Sequence, residues 1–512
     1  MAQGRRTASQ VVSERLASLN LTSFPCGKGN WRNEKFFDYD ASVSKGNESV
    51  EDLLDYAYAQ KSPWTIDCSW SSEARTLRDV AIRSPGKLDD PDYARKSFQT
   101  LKLINENINE VDEKLAVYEN VSELSLSCNH LSVVNGRNLP KQLKVLELCD
   151  NQLSNPLALC PGSPPSVRHV GLGYNRLQNL NWLQPASWPL LLSLDLSFNH
   201  LTSLPEVVLA LSSLAKLRNL VLQGNPVSLV PAYRPYVIEK LSSLTVLDDV
   251  RIIPDDRRVC ENLCDNIQED DLKEVGVSIS VEQLQGICAP PEEDVLTDPM
   301  KEKVEHLYHV EYDYVPLQGQ PVKGEMKDVF CTQELTWADP MSFNYSMEHS
   351  NTQLDQCCGF FMRGIAVRVI QARTVSVAPS ETNIPTNARS PKADNKTSKK
   401  KTGKKTPPAS TVPKDKGAME KDKRNKGGKK NQESDVDWIK RPPELKCVAQ
   451  GAISLRSLLL GHGSPLVQDS SFNLTLEEGN THAGNNDEGE DKPVTLSVAI
   501  QLRRHPIALK LQ

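Results

Sequence analysis

Few residues in this chain are spaced to do chemistry. Cys260 and Cys264 stand four apart on an expected helix and could share a metal ion. No second ligand pair follows at a usable distance, however, and none of the 12 cysteines makes the C-x-x-C spacing of a zinc module. They read as reduced, core-filling thiols in a reducing compartment. GLGYN (Gly171 to Asn175) opens like a dinucleotide loop but lacks the third glycine. GKKT (Gly403 to Thr406) ends like a phosphate loop with lysine where a magnesium-binding hydroxyl belongs. There is no H-e-x-x-H or G-x-S-x-G string, and the 9 histidines show no cluster at ligand spacing. The expectation is a protein with no catalytic residues, no metal and no cofactor.

What does recur is an amide. Five segments share one template, with leucine-like residues at positions 1, 4, 6 and 11 and asparagine at 9: VSELSLSCNHL (from Val121), LKVLELCDNQL (from Leu143), VRHVGLGYNRL (from Val167), LLSLDLSFNHL (from Leu191) and LRNLVLQGNPV (from Leu217). Asn129, Asn151, Asn175, Asn199 and Asn225 fall 22, 24, 24 and 26 residues apart. The central L-x-L is a short strand with its leucines turned inward, so successive copies stack as a parallel sheet over one core. After each strand the chain turns inward and leaves the ladder, which would strand buried backbone groups. An amide has both donors and an acceptor to meet them; aspartate lacks the donors and leucine lacks both. A simple surface turn former would not stay in phase with the leucines.

These motifs resemble the leucine-rich repeat family over residues 101–253. The segment from Asn225 to Val250 keeps Tyr233, Val237, Leu241 and Leu244 at helical spacing and closes on Leu247 and Asp248. It is similar to the cap of the family's regulatory-subunit and axonemal members, including a phosphatase regulator and an outer-arm dynein light chain. LKLINENINEV (from Leu101) looks like a degenerate first repeat, with Asn107 in the asparagine slot, and residues 1–100 read as a helical lid on that end. The resemblance implies a non-enzymatic adaptor that binds protein partners and associates with axonemes or cilia. A phosphatase-regulatory subunit is the alternative.

The docking surface of such a stack is its concave face. Residues between the strand leucines are Ser125, Glu147, Gly171, Asp195 and Val221, preceded by Glu123, Val145, His169, Ser193 and Asn219, a shallow and mildly acidic surface. Tyr174 and Phe198 lie beside the asparagine turn one unit apart. Glu147, Asp195, Tyr174 and Phe198 are therefore the candidate partner-binding set, with core filling as the other reading of Phe198.

Beyond Pro254 the leucine register stops. Residues 254–300 read as a charged connector. Period-two alternation in YHVEYDYV, GIAVRVIQA and VTLSVAIQL, with GAISLRSLLLG and SFNLTLE, gives about five strands. The expected class is thus an α/β leucine-rich repeat solenoid, with parallel short strands and an irregular or helical convex side, followed by an antiparallel β-sandwich in two parts (301–380 and 440–512). MRGIAVRVIQA, AQGAISLRSLLLG and VTLSVAIQLRRHP resemble strands of a C2-type sandwich. The acidic run from Glu477 to Asp491 reads as a loop rather than the converging carboxylates that calcium needs.

Between the two parts, residues 388–430 hold 16 Lys or Arg against 4 Asp or Glu. A segment so charged and so poor in apolar residues is expected to be disordered. Lys399, Lys400, Lys401, Lys404 and Lys405 are its candidate polyanion-binding residues, for an acidic tubulin tail or nucleic acid. No aromatics interleave with them, so base stacking has no support. The whole chain carries a net −6, and no apolar run is long enough to span a bilayer. The expected location is cytoplasmic or ciliary, with nuclear as the alternative.

Overall fold

A computed structural model describes residues 5–19, 55, 58–59, 61–62, 65–84, 87–261, 267–268, 270–290, 302–313, 329–378, 438–460, 467–476 and 493–506. The chain divides into two compact units. The first comprises Met1–Cys288, Tyr308–Ile370 and Cys447–Gln512; the second comprises Ala289–Leu307 and Gln371–Lys446.

In the first unit the leucine template becomes a parallel sheet: β1 (Thr100–Lys102), β2 (Glu123–Ser125), β3 (Val145–Glu147), β4 (His169–Gly171), β5 (Ser193–Asp195), β6 (Asn219–Val221) and β7 (Val246–Leu247), in that order. Antiparallel β8 (Val250–Arg251) closes it. Register pairs leucine on leucine, as in Leu124 with Leu146 and Leu194 with Leu220. The leucines at position 6, one past each strand (Leu126, Leu148, Leu172, Leu196, Leu222), are all fully buried. Each contributes about 1.5–3 kcal/mol of apolar burial. The convex return runs through short 3-10 turns such as Pro156–Leu159 and Pro226–Leu229. The longest spacing, between Asn199 and Asn225, accommodates an α-helix, Leu204–Ser212, which Pro205 opens and which buries Leu204, Val207, Val208 and Leu211.

Both ends of the stack are covered. At the amino end α1 (Ala8–Leu19) buries Ala8, Val11, Val12 and Leu19, while Trp70 packs on Phe98 with ring centroids 5.4 Å apart. Most of residues 20–64 of the expected lid lie outside the described residues. The register also corrects the first repeat: Leu101 pairs with Leu124, so the asparagine slot falls on Glu106 and not on Asn107. At the carboxyl end the helix Tyr233–Lys240 buries Tyr233, Val237 and Ile238.

The expected connector 254–300 is not a connector throughout. It contains β9 (Val275–Gln285), in which Val275, Val277, Ile279 and Val281 alternate with Gly276, Ser278 and Ser280, a period-two signal that the charge of the flanking residues outweighed in the connector reading. The further strands are β10 (Glu302–Asp313), β11 (Val329–Cys331), β12 (Leu335–Thr336), β13 (Met341–Asn351), β14 (Ile365–Val377), β15 (Ile439–Lys440), β16 (Glu444–Ile453), β17 (Val467–Leu476) and β18 (Val494–Leu502). The sheet order is β11-β10-β14-β16-β17-β18-β9-β13, double the expected number of strands once β12 and β15 are added. GAISLRSLLLG is part strand only: β16 ends at Ile453 and Arg456–Leu460 is helical. The basic insert 388–430 lies outside the described residues. In the second unit Ser376 pairs with Lys440 and Val377 with Ile439.

Within the first unit the sheet curls until its ends meet. Tyr312 on β10 is buried and its hydroxyl lies 2.8 Å from Nε2 of His349 and 3.1 Å from the Tyr345 hydroxyl, both on β13. Burial lowers the pKa of His349 below its usual 6.5. A histidine whose folded pKa is lowered contributes stability above the unfolded value that is lost as pH falls through the window beneath it. Acidification below pH 6.5 is therefore expected to lower the melting temperature of the native chain more than that of His349→Gln. Parallel melting curves across that pH range would remove His349 from the account.

The same unit joins the solenoid's last turns to the sheet. Arg504, just past β18, donates to the carbonyls of Ser228 (3.3 Å) and Val230 (3.2 Å). The Ala232 N–H donates to Asp271 O, that of Gly224 to Leu459 O, and that of His505 to Pro231 O. These bonds occupy carbonyls and amides that an open solenoid end would leave to water.

Candidate functional site

The asparagine ladder sets the geometry of the concave face. Asn199 Nδ2 donates to the carbonyls of Leu172 (2.9 Å), Leu196 (3.0 Å) and Ser197 (3.1 Å), and its Oδ1 accepts from the Leu177 N–H at 3.0 Å. Asn129, Asn151, Asn175 and Asn225 repeat this: each bonds its own repeat's strand-end carbonyl and that of the repeat before, and accepts the N–H at position 11 of that earlier repeat. All five amides are buried. The turn they hold puts position 8 in the left-handed region, with φ of 58° at Cys128, 55° at Asp150, 54° at Tyr174, 50° at Phe198 and 76° at Gly224.

Tyr174 and Phe198 therefore occupy a conformation that costs about 1–2 kcal/mol for a bulky residue. Their rings stack at 4.3 Å between centroids and 13° between planes. Phe198 is half-buried and lies over Gly224, where an added Cβ would stand 2.5 Å from Phe198 Cδ1. Its ring is thus on the turn surface beside Tyr174, not in the core beside Asn199. Tyr174 is 54% exposed.

Across the strands runs a polar chain. His169 Nε2 lies 2.7 Å from Glu147 Oε1, His169 Nδ1 lies 2.9 Å from Ser193 Oγ, and Asn219 Nδ2 donates to that same Oγ at 3.2 Å. Glycine makes room for it: a Cβ on Gly171 would stand 1.8 Å from Glu147 Oε2, and one on Gly173 would stand 3.1 Å from Asp195 Oδ2. Burial works against the Glu147 carboxylate, yet the hydrogen bond and charge of His169, with Cys149, outweigh it and hold its pKa below the usual value. Burial and then the charges of Glu147 and Asp195 push the Cys149 thiol up to about 12, so this cysteine is a protonated, unreactive member of the surface. Glu147 and Asp195 thus flank Gly171 and Gly173, next to an exposed aromatic stack. His169, Ser193 and Asn219 were read from sequence only as face residues. Their bonding across strands is invisible to a linear pattern, although the shared template position is a signal that places them in one row.

The lysines Lys399, Lys400, Lys401, Lys404 and Lys405 lie outside the described residues, as does Cys264. Cys260 is a buried free thiol. Among the described residues no helix is long and apolar enough to cross a membrane.

Parallel strands, an in-phase buried amide ladder and a capped sheet make a leucine-rich repeat fold over this region, and residues 141–275 match the leucine-rich repeat family model. Residues 15–89 match the model described as "Leucine-rich repeat-containing protein 43 N-terminal domain", and residues 321–473 match the one described as "Leucine-rich repeat-containing protein 43 C-terminal domain". It is 36% identical over 326 residues to leucine-rich repeat-containing protein 43 of Mus musculus, covering 60% of this chain and 48% of that one. The Homo sapiens counterpart is 35% identical over 342 residues, covering 64% and 51%. The chain spans about half the length of these curated relatives. A shorter stretch of 69 residues is 46% identical to dynein axonemal assembly factor 1 of Homo sapiens, covering 13% of this chain and 9% of that one.

Proposed function

We propose that this chain is a non-enzymatic adaptor that grips a protein partner on the concave face of its repeats and works in association with cilia. The observation that carries the reading is the Tyr174–Phe198 stack, held in a strained backbone conformation beside the carboxylates of Glu147 and Asp195. The asparagine turn imposes that conformation in every repeat, and at these two positions it is filled by bulky rings that stack beside solvent. Aromatic anchors dominate interface energetics, and the flanking acids favour a partner segment that presents Lys or Arg. The stretch shared with a dynein axonemal assembly factor supports the ciliary setting. In this proposal the curled sheet is a C2-like sandwich without calcium chemistry, a mount for the solenoid's carboxyl end.

The test compares the native chain with a variant carrying alanine at Glu147, Asp195, Tyr174 and Phe198, both confirmed as folded by circular dichroism, in pull-downs from ciliated cells. Partner recovery is expected to fall at least about tenfold, the loss of one or more anchor residues. Equal recovery of the same partners would end the proposal. A tagged native chain confined to the nucleus would end its ciliary part.

A further inference from the structure

We propose that His309, Glu311 and Cys331 form a zinc-binding site on β10 and β11. The strand register builds it: Glu311 stands directly opposite Cys331, and His309, two residues along β10, projects from the same face as Glu311. The other face carries the buried Tyr308, Val310 and Tyr312, which hold the strand against the core. The ligand atoms of all three residues lie within 4.8 Å of one another.

The imidazole is what calls for an ion. His309 is only 8% exposed, its Nδ1 is buried with no hydrogen-bond partner, and its Nε2 stands 3.5 Å from Glu311 Oε1, too long for a good hydrogen bond. A buried ring that the protein leaves this poorly satisfied points to a missing ligand. Glu311 is already oriented for one. Its Oε2 faces Arg368 Nε at 3.6 Å, while Arg368 Nη2 donates to Asp313 Oδ1 at 2.9 Å, so the second carboxylate oxygen, Oε1, is the one turned towards His309.

One nitrogen, one sulfur and one oxygen donor make a borderline-soft set that suits zinc and not the all-oxygen shells of calcium or magnesium. In the metal-free protein Cys331 is a free thiol. Zinc binding forms the zinc–sulfur bond and releases the thiol proton to solvent. The resulting thiolate and carboxylate neutralise the two positive charges, and three protein ligands leave the fourth tetrahedral position to water on the exposed Cys331 side. Spacing in the sequence does not show this set, because its sulfur comes from a separate strand.

The full chain, stripped of metal, is titrated with zinc chloride alone and then with cobalt chloride. One equivalent of zinc is expected to bind with release of a proton, and cobalt is expected to give a sulfur-to-metal charge-transfer band. Cys331→Ser and Glu311→Gln should each weaken zinc at least about 100-fold, the upper range of what losing even an outer partner costs, and Cys331→Ser should remove the Cys331 contribution to the band. In the unmutated chain zinc should protect Cys331 from alkylation, read by peptide mass spectrometry, which decides the matter even where a variant folds poorly. Alkylation of Cys331 at the same rate with and without zinc would overturn the site. So would zinc affinities that are unchanged in both folded variants.

Discussion

Replacing Asn199 by leucine is expected to destabilise the repeat unit by about 3–5 kcal/mol, against about 0.5 kcal/mol or less for alanine at its exposed neighbour His200. The side chains of asparagine and leucine are similar in size, so the effect isolates bonding from packing. Leucine leaves the Leu177 N–H without its acceptor and removes one donor from each of three carbonyls, those of Leu172, Leu196 and Ser197. A buried polar group left unpaired costs about 1–3 kcal/mol. Asn199→Asp separates the two halves of the amide, since it keeps the acceptor for Leu177, loses all three donated bonds and buries a charge. It is expected to be no better than leucine. Thermal and urea unfolding of the three chains decide it: an aspartate variant as stable as the native protein would show that the donors contribute nothing.

The amides were legible in the sequence because they repeat in phase with the leucines, and a period leaves a trace that needs no coordinates. The amino end of the ladder was not. Glu106 occupies the first slot, one residue before the Asn107 that spacing favoured, and an acid there has no family resemblance to an amide. Arg15 Nε donates to Glu106 Oε1 at 3.1 Å, and the backbone N–H groups of Glu106 and Ile108 are met by Asn129. The carboxylate in the first slot therefore takes its donors from the lid helix, and the first repeat's Leu103 carbonyl is met by Asn129. A contact between residues 15 and 106 cannot be inferred from either local stretch. The curled sheet escaped for a different reason: the partners of β9 and β13 come from distant parts of the chain, so even the period-two run of Val275, Val277, Ile279 and Val281 does not say which strands it joins. On the concave face, residue types were legible while their coupling was not. His169 links Glu147 to Ser193 only because the parallel register sets three repeats side by side.

A stack that ends must satisfy its last backbone groups without another repeat; at the carboxyl end the acid Asp248 does so, while the acid in the first slot, Glu106, meets side chains instead. This makes the two carboxylates unlike the five amides between them. At Glu106 the partners are arginines, one of them donating from α1. At Asp248 the carboxylate receives the N–H of Leu222, which in earlier repeats goes to the next strand's backbone carbonyl, as Leu126 does to Glu147 and Leu196 to Val221, so the parallel ladder stops there by substitution of one acceptor for another.

Asp248→Ala is accordingly expected to cost about 2–4 kcal/mol, while Asp248→Asn stays within about 0.5 kcal/mol of the native chain. Asp248 Oδ1 accepts from the N–H groups of Leu222 (2.7 Å) and Gln223 (2.9 Å), and Oδ2 accepts from the Tyr233 hydroxyl at 2.6 Å. Alanine strands both amides and the phenol in the turn between β6 and the cap helix. Asparagine keeps the double acceptor, and its amide nitrogen can donate to the phenol oxygen in place of the lost bond. The charge is not what holds the cap. Burial raises the Asp248 pKa above its usual 3.8 despite the bonds from Tyr233, Leu222 and Gln223 and the nearby Arg234. An acid whose folded pKa is raised gives stability that is full below the unfolded value and is lost as pH rises through the folded one. The native chain should therefore lose ground to Asp248→Asn as pH climbs from 3.8 through that raised value, and the gap should then stay constant. Unfolding midpoints of the three chains across this range test both statements. An asparagine variant as unstable as the alanine one would mean that the negative charge, and not the geometry of its oxygens, terminates the ladder.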